Sequence, residues 1–336
     1  MRRLWGGLAA MVLLASAAPL AAAELNLYSE RHYQTDEQLY SGFTEATGIT
    51  INRIEGKADE LIQRITAEGA NSPADVLITV DVGRLWRADE AGLFQPIESK
   101  TLETAVPASL RHPDGHWFGF SKRARLIYYN KDTVQPGEIK DYEDLADPKW
   151  KGKVCIRSGS NIYNLSLLGS LIAVHGEEGA TDWAKGVVAN FARDPQGGDT
   201  DQIKAVAAGE CALAVANSYY FARLLANPEE KAVTDKIGWV FPNQDNRGTH
   251  VNISGAGVLA HAPNKEEAVK FLEFLASEDA QRYFADGNNE YPVVEGVAAN
   301  STVQQLGDFK ADEINVASYG ENQPLAQKIF DRAGWK

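Results

Sequence analysis

Short apolar runs alternate with amphipathic segments along the chain from residue 24 onward. The predicted strands are 25–28, 49–54 and 75–79, and the predicted helices between them are 36–47 and 58–67. Thr35 and Gln38 have the spacing of a capping box at the start of the first helix, and Gly48 is placed to end it. Because strands joined by helices wind into a parallel sheet, this part of the chain predicts an α/β unit.

The same alternation continues through the second half of the chain. The predicted strands there are 153–157, 211–217 and 251–260, and the predicted helices are 161–175, 199–208, 265–276, 278–285 and 323–332. A chain of 336 residues with 44% hydrophobic residues can bury a full core in each of two lobes. No linker rich in glycine and serine separates the halves, so we expect the chain to cross between the lobes more than once.

The N-terminal segment 1–23 has the pattern of a secretory signal peptide. Arg2 and Arg3 precede an apolar stretch that is shorter than the roughly 20 residues needed to span a membrane, and small residues follow as far as Ala23. Neither cysteine of the chain lies at the predicted cleavage site. We therefore expect an exported protein without a lipid anchor, located in the periplasm.

The net charge of the chain and the catalytic motifs that it lacks restrict the classes of function it can have. The net charge of −13 disfavours nucleic acid and anionic membrane surfaces as partners. The chain contains no Gly-x-Ser-x-Gly elbow, no His-Glu-x-x-His motif and no cofactor-binding motif. The sequence therefore predicts a binding protein rather than an enzyme.

Cys155 and Cys211 are the only cysteines, and in an oxidising compartment such a pair is predicted to form a disulfide. The bond needs Cα atoms within about 7 Å of each other, so the strands that carry them must be close neighbours. A helical crossover makes these strands parallel, so their carboxyl ends emerge side by side. Tyr163 follows the first strand, and Tyr219 and Tyr220 follow the second. We therefore expect these three phenols to share one rim.

Tyr219 and Tyr220 lie where a predicted strand gives way to a predicted helix, which is where open α/β sheets bind their ligands. An ionised phenol is a hard anionic oxygen donor, and it suits Fe³⁺ better than a soft or divalent cation. A second pair, Tyr128 and Tyr129, lies within an ordinary apolar strand. A tyrosine pair alone is therefore weak evidence for a metal site, because most tyrosines are packing residues.

Six short segments resemble the periplasmic ferric-iron-binding proteins of ABC importers, and the cyanobacterial-type members most closely. They are YSERHY (28–33), EGKADE (55–60), SPADV (72–76), GHWFG (115–119), SNIYN (160–164) and ANSYY (216–220). The resemblance implies an α/β, two-lobe periplasmic solute-binding fold of type II, in which each lobe is a mixed sheet flanked by helices. Its crossing strands are expected near 123–129 and 252–258. Its lobes are expected to comprise 24–122 with 254–300, and 123–253 with 301–336.

The resemblance also implies a ligand set and a transport role. It places the iron ligands on Tyr33 of the first lobe and on Tyr163, Tyr219 and Tyr220 of the second, without an obligatory anion. His32 matches a position that ligates iron in some members, so it is a candidate fifth ligand. Fe³⁺ is then the cargo that a monomeric protein delivers to an ABC permease in the inner membrane.

Four phenolates around Fe³⁺ carry a site charge of about −1, and because a free phenol has a pKa near 10 the cation must drive their deprotonation. We therefore expect acid to weaken binding. Arg223 and Arg31 are expected to offset the surplus negative charge, and the alternative for both is a solvated surface arginine. The basic run 119–125 lacks the context of a phosphate loop, so we expect it to contact the other lobe or the iron cleft.

Two other function classes stay open at this point. A clamp of the same fold for an organic solute, such as a polyamine or a sugar, would use the tyrosines for stacking rather than ligation. A secreted metal-dependent hydrolase would need open coordination positions and a general base, and four anionic ligands on one ion leave little room for them.

Overall fold

The computed structural model describes residues 23–31 and 33–336. The predicted signal peptide therefore lies outside the described residues except for Ala23, and His32 lies outside them as well. The strands are β1 Glu24–Ser29, β2 Thr50–Glu55, β3 Val76–Val80, β4 Phe118–Asn130, β5 Val154–Cys155, β6 Leu213–Asn217, β7 Ile237–Val240, β8 Val251–Val258 and β9 Tyr291–Pro292. No helix in this part of the chain is both long and apolar enough to cross a membrane.

The helices surround the sheet on both faces. They are α1 Asp36–Thr47, α2 Ala58–Glu68, α3 Val82–Glu90, α4 Lys100–Ala105, α5 Ile162–Ala189, α6 Asp199–Ala208, α7 Ser218–Ala226, α8 Lys231–Thr234, α9 Lys265–Leu275, α10 Glu278–Asn288, α11 Ser301–Gln304, α12 Ala317–Glu321 and α13 Gln323–Ala333. Short 3-10 turns lie at Gly69–Asn71, Ala108–Leu110, Glu143–Ala146, Pro148–Trp150 and Pro228–Glu230.

The strands form one mixed sheet with the order β2-β1-β3-β8-β4-β6-β5, and β7 and β9 also pair with β4. β1 pairs in parallel with β2 and with β3, as the alternation of strands and helices predicts. β8 runs antiparallel to both β3 and β4. The sheet therefore has a parallel portion at each end and antiparallel strands in its centre.

β4 connects the two ends of the sheet. Its first half, as far as Ala124, pairs with β8, and its second half, from Arg125 to Tyr129, pairs with β6. β4 and β8 thus occupy the positions predicted for the crossing strands, and nearly every side chain of both is buried.

The two ends of the sheet have separate hydrophobic cores. One cluster covers the β1 to β3 end and includes Phe43 and Phe271. The β6 end has a cluster on each face, because successive side chains of a strand point to opposite faces. Trp183 and Phe330 belong to one of these clusters and Phe221 to the other. This division matches the predicted two-lobe α/β architecture.

The predicted disulfide is confirmed. Cys155 and Cys211 are bonded, with their Cα atoms 5.8 Å apart. β5 and β6 are parallel neighbours as expected, with Val154 opposite Leu213. A bond between residues 56 positions apart stabilises this region by roughly 4 kcal/mol in the chain-entropy model.

Some local predictions were wrong. Thr35 makes no side-chain cap of α1, because its backbone is already helical and its hydroxyl donates to Asn288 Oδ1 at 3.1 Å. The strand predicted at 153–157 is only two residues long. The helix predicted at 161–175 continues to residue 189 after a break at Gly176, whose φ of 69° is favourable for glycine.

Candidate metal centre

Tyr219 and Tyr220 lie in the first turn of α7, which begins directly where β6 ends. Every residue of β6 is buried, so the strand fixes the position of this turn. The two rings are 4.3 Å apart between centroids, and Tyr219 is only 6% exposed. Both phenols therefore lie at the carboxyl end of a core strand, as the sequence predicts.

Tyr163 lies in the first turn of α5, on the neighbouring strand-to-helix connection. The side chain of Asn161 caps this helix and accepts a hydrogen bond from the backbone N–H of Tyr163 at 3.2 Å. The hydroxyl of Tyr219 donates to the hydroxyl of Tyr163 at 3.3 Å. The structure thus brings together the three phenols predicted for one rim.

Tyr33 reaches the same group from the loop that follows β1. The Arg223 guanidinium carbon lies 5.6 Å from the centroid of the Tyr33 ring and 5.1 Å from that of the Tyr219 ring. One side chain of α7 therefore contacts phenols from both ends of the sheet. His32, the candidate fifth ligand, lies outside the described residues, and its role stays a prediction.

Burial keeps these phenols protonated in the absence of a cation. It raises the pKa of Tyr33, Tyr163 and Tyr219 above the ordinary value near 10. Neighbouring phenols add to this shift, because a phenolate at Tyr220 repels charge on Tyr163 and Tyr219. Several phenolates can coexist here only when a strong positive charge lies among them.

Two guanidinium groups supply part of that positive charge. Arg123, on β4, is 2% exposed and lies 5.9 Å from the Tyr163 ring centroid. It donates to Ser254 Oγ at 3.0 Å, but its Nε and Nη2 have no hydrogen-bond partner among the described residues. Burial lowers the pKa of Arg123, but the charges of Asp81, Tyr219, Tyr163 and Glu290 raise it above its ordinary value, so phenolates share this guanidinium with carboxylates. Arg223 is exposed and contacts the rings of Tyr33 and Tyr219.

Two further arginines face Tyr163, and a buried carboxylate neutralises part of their charge. Arg125 and Arg157 lie 5.9 Å and 5.4 Å from its ring centroid. Both donate to Asp199, the first residue of α6, at 3.2 Å and 3.3 Å. The basic run predicted to contact the cleft thus does so through Arg123 and Arg125. Sequence reasoning missed Arg157, and it took Asp199 only as a helix start.

Arg31 anchors the Tyr33 loop and is not a surface residue. It is 1% exposed and forms ion pairs with Asp36 at 2.9 Å and Glu290 at 3.2 Å. Its guanidinium carbon lies 5.2 Å from the Tyr33 ring centroid. Glu290 also accepts from Ser121 on β4 at 2.9 Å, so it ties the loop to the central strands. No local signal marks Glu290, which is 259 positions from Arg31.

A second group of metal-type donors lies elsewhere. Donor atoms of Asp89, His112 and His116 lie within 4.8 Å of one another. The backbone N–H of Asp114 donates to His112 Nδ1 at 3.1 Å, which places the His112 proton on Nε2. Nε2 of His112 lies 3.1 Å from Asp89, and Nδ1 of His116 lies 2.6 Å from the same carboxylate. These three side chains form a hydrogen-bonded cluster that contains none of the four tyrosines.

The chain also matches known proteins over most of its length. The bacterial extracellular solute-binding protein family matches residues 38–311. The chain belongs to this family. Iron uptake protein A1 of Synechocystis is 59% identical over 315 residues, which cover 93% of this chain and 88% of that protein. The Fe(3+)-binding periplasmic protein of Serratia marcescens is 30% identical over 332 residues, covering 97% and 96%.

A solved structure also resembles this chain in sequence and in fold. The Trichodesmium protein IdiA (FutA), determined in complex with iron and citrate, is 61% identical and matches with a TM-score of 0.91. The match covers 94% of this chain and 100% of that chain. This member of the solute-binding family therefore has the α/β periplasmic binding protein fold, with a mixed sheet flanked by helices, that its sequence predicts. The Synechocystis and Serratia relatives are named for iron uptake and for Fe(3+) binding, and none of the proteins described above is named as an enzyme.

Proposed function

We propose that this solute-binding protein captures ferric iron between its two lobes and delivers it to an ABC permease. Tyr33 from one lobe and Tyr163, Tyr219 and Tyr220 from the other are the ligands, as phenolates. Fe³⁺ is a hard cation, and anionic oxygen donors match it. The names of the relatives from Synechocystis, Serratia and Trichodesmium support the same cargo.

The convergence of the four phenols carries this proposal. The hydroxyl of Tyr219 lies 3.3 Å from that of Tyr163, and Arg223 joins Tyr219 to Tyr33 across the cleft. Four phenolates reduce the charge of Fe³⁺ from +3 to about −1, and Arg123 and Arg223 then offset the remainder. An organic cation such as a polyamine lacks the concentrated positive charge of Fe³⁺ that is needed to ionise several buried phenols together.

The two-lobe arrangement supplies a capture and release mechanism. Lobe bounds of 24–122 with 254–300 and of 123–253 with 301–336 fit the change of partner within β4 at residue 124. Val316, Ala317 and Tyr319 pack with the first core, and Phe330 packs with a core of the β6 end, so the last segment contacts both lobes. Because Tyr33 and the other three ligands lie on different lobes, hinge closure completes the coordination shell and opening breaks it.

The setting of this activity is the periplasm. The protein acts there as a monomer after removal of segment 1–23, and its partner is the permease in the inner membrane. The Serratia relative is named a periplasmic protein, which supports this location. Size-exclusion chromatography with light scattering of the mature protein, apo and iron-loaded, checks the monomer; a stable dimer would contradict it.

The visible spectrum of the purified protein tests the cargo. Adding ferric iron to the apo protein is expected to give a purple to red phenolate-to-iron band, and a reductant is expected to bleach it. The Tyr219→Phe, Tyr220→Phe double variant removes two of four ligands and is expected to lose the band and tight binding. The Tyr128→Phe, Tyr129→Phe variant is the matched control, because it removes two hydroxyls from β4.

The same preparation decides between iron and the organic-solute alternative. A colourless protein that ignores iron, yet gains thermal stability with a polyamine or a sugar, would establish the alternative. Tight iron binding with the band intact in the Tyr219→Phe, Tyr220→Phe variant would also overturn the proposed ligand set.

A further inference from the structure

A cavity of about 520 Å³ lies beside β4 and β9, and Lys122 and Tyr291 are among the residues that line it. Ser121 donates to Glu290 at 2.9 Å, and Arg123 contacts the ring of Tyr163, so both side chains face the cleft. Lys122 lies between them and lines the cavity. None of the residues that line the cavity is one of the four proposed iron ligands, so the cavity is distinct from the proposed iron site.

Lys122 has a positive charge that no carboxylate neutralises within the described part of the chain. Burial lowers the pKa of its ammonium, and no neighbouring charge offsets the effect. A lysine in this position loses hydration without gaining an anionic partner, which is unfavourable. A ligand carboxylate in the cavity would supply that partner.

Tyr291 places a second donor beside Lys122. The two residues are opposite each other where β4 pairs with β9, so their side chains share one face. The buried hydroxyl of Tyr291 has no hydrogen-bond partner among residues 23–31 and 33–336. Its ring is held edge-on against Phe309, with centroids 5.2 Å apart. Burial and the charge of Asp308 raise the pKa of Tyr291, so the hydroxyl stays a neutral donor.

The rest of the cavity combines an apolar wall with one negative charge. Pro292, Val297 and Val303 form the apolar part, and Asp308 lies at the exposed rim. Lys122 and Asp308 line the same cavity but form no ion pair with each other in the described structure. A ligand that carries a carboxylate and an ammonium on one carbon would therefore find an opposite charge for each group.

We infer that this cavity binds a small zwitterion of the α-amino acid type with an apolar side chain. Its carboxylate accepts from Lys122 and Tyr291, its ammonium contacts Asp308, and its side chain packs on Pro292 and Val297. A volume of about 520 Å³ lies in the range of small-molecule sites.

Isothermal titration calorimetry with three probes tests the ligand class. L-Phenylalanine has both charges and an apolar body, 3-phenylpropionate lacks the ammonium, and 2-phenylethylamine lacks the carboxylate. L-Phenylalanine is expected to bind with a Kd on the order of millimolar, as suits a ligand of its size. Loss of the carboxylate is expected to weaken binding at least about tenfold, and loss of the ammonium about threefold.

Variants of the two charged residues identify the contacts. Lys122→Met is expected to weaken the binding of L-phenylalanine at least about tenfold, because it removes a partly buried charge-assisted hydrogen bond. Asp308→Asn is expected to weaken L-phenylalanine binding only about threefold, because Asp308 is exposed to solvent. The variant is also expected to lose the preference for L-phenylalanine over 3-phenylpropionate. Ala298→Trp fills the exposed mouth of the cavity and is expected to block all three probes.

Controls separate the cavity from the iron site and from folding. Lys270→Met changes an exposed lysine of α9 and is expected to bind L-phenylalanine like the unmodified protein. Each variant should keep the circular dichroism spectrum of the unmodified protein. The inference is wrong if no saturable L-phenylalanine binding occurs, if the three probes bind equally, or if Lys122→Met binds as tightly as the unmodified protein. These results stand independently of iron binding.

Discussion

The protein contains two tyrosine pairs of identical sequence in opposite circumstances. Tyr128 and Tyr129 lie in the middle of β4, and their side chains enter different hydrophobic clusters on the two faces of the sheet. Tyr219 and Tyr220 lie in the first turn of a helix, with their ring centroids 4.3 Å apart. In a strand, consecutive side chains point to opposite faces of the sheet. In the first turn of a helix at a strand end, they can lie close enough to contact the same metal ion.

Burial alone does not distinguish the pairs. Tyr128 is fully buried and Tyr219 is 6% exposed, and burial raises the pKa of both phenols. The difference lies in the neighbours. Tyr219 meets the hydroxyl of Tyr163 and the guanidinium of Arg223, whereas the hydroxyl of Tyr128 has no hydrogen-bond partner among the described residues. The convergence of oxygen donors and cations, not the Tyr-Tyr sequence, therefore distinguishes the proposed metal site from the core pair.

The largest expected effect comes from the disulfide that holds the rim of the second pair. Replacing Cys155 and Cys211 by alanine should lower the free energy of unfolding by roughly 4 kcal/mol, because the unfolded chain loses the closed loop. Urea unfolding of the apo protein measures this change. Reduction of the unmodified protein should give a similar loss, and an unchanged urea midpoint in both experiments would contradict the prediction.

Single hydroxyl deletions compare the two pairs directly. Structural metal sites gain roughly 10 to 16 kcal/mol from about four ligands, so one ligand is worth about 3 kcal/mol. Tyr219→Phe should therefore weaken ferric binding on the order of 100-fold. Tyr128→Phe should leave it unchanged, because that ring packs against Phe221 in the core.

Competition with a chelator of known iron affinity measures both variants. The free energy of unfolding of Tyr128→Phe should not fall, since its buried hydroxyl has no partner to lose within the described residues and its removal takes away an unsatisfied polar group. Equal iron affinities for Tyr219→Phe and Tyr128→Phe would remove the distinction between the pairs.

Much of the fold and of the candidate site follows from local sequence. The strand-to-helix junctions at Tyr163 and Tyr219 are readable from periodicity, and the cysteine pair places these junctions side by side. Contacts that depend on remote partners are not readable in this way. The pairs Arg31 with Glu290 and Arg125 with Asp199 join residues 259 and 74 positions apart through the register of the central strands, which no local pattern encodes.

Removal of the cation shared by Tyr33 and Tyr219 should have a smaller effect on iron binding. Arg223 contacts both rings but is not a ligand, and groups of this kind typically change metal affinity 10- to 100-fold. Arg223→Met should therefore weaken ferric binding about tenfold or more in the chelator competition. Arg332→Met, at an exposed arginine of α13, should not weaken it. Iron affinity that is the same in both variants would show that Arg223 is only a surface residue.

In the apo protein, raising the pH above about 10 should change the free energy of unfolding equally through Tyr128 and through Tyr219. A buried phenol keeps its proton above its ordinary pKa near 10 while the unfolded chain releases it, so stability falls as pH rises through this range. One such buried phenol lowers the free energy of unfolding by about 1.4 kcal/mol at a pH about one unit above 10. Tyr128→Phe and Tyr219→Phe should each reduce the loss of unfolding free energy between neutral pH and that pH by this amount. If only Tyr219→Phe did so, the pairs would already differ electrostatically without a metal, and convergence on the cation would not be what separates them.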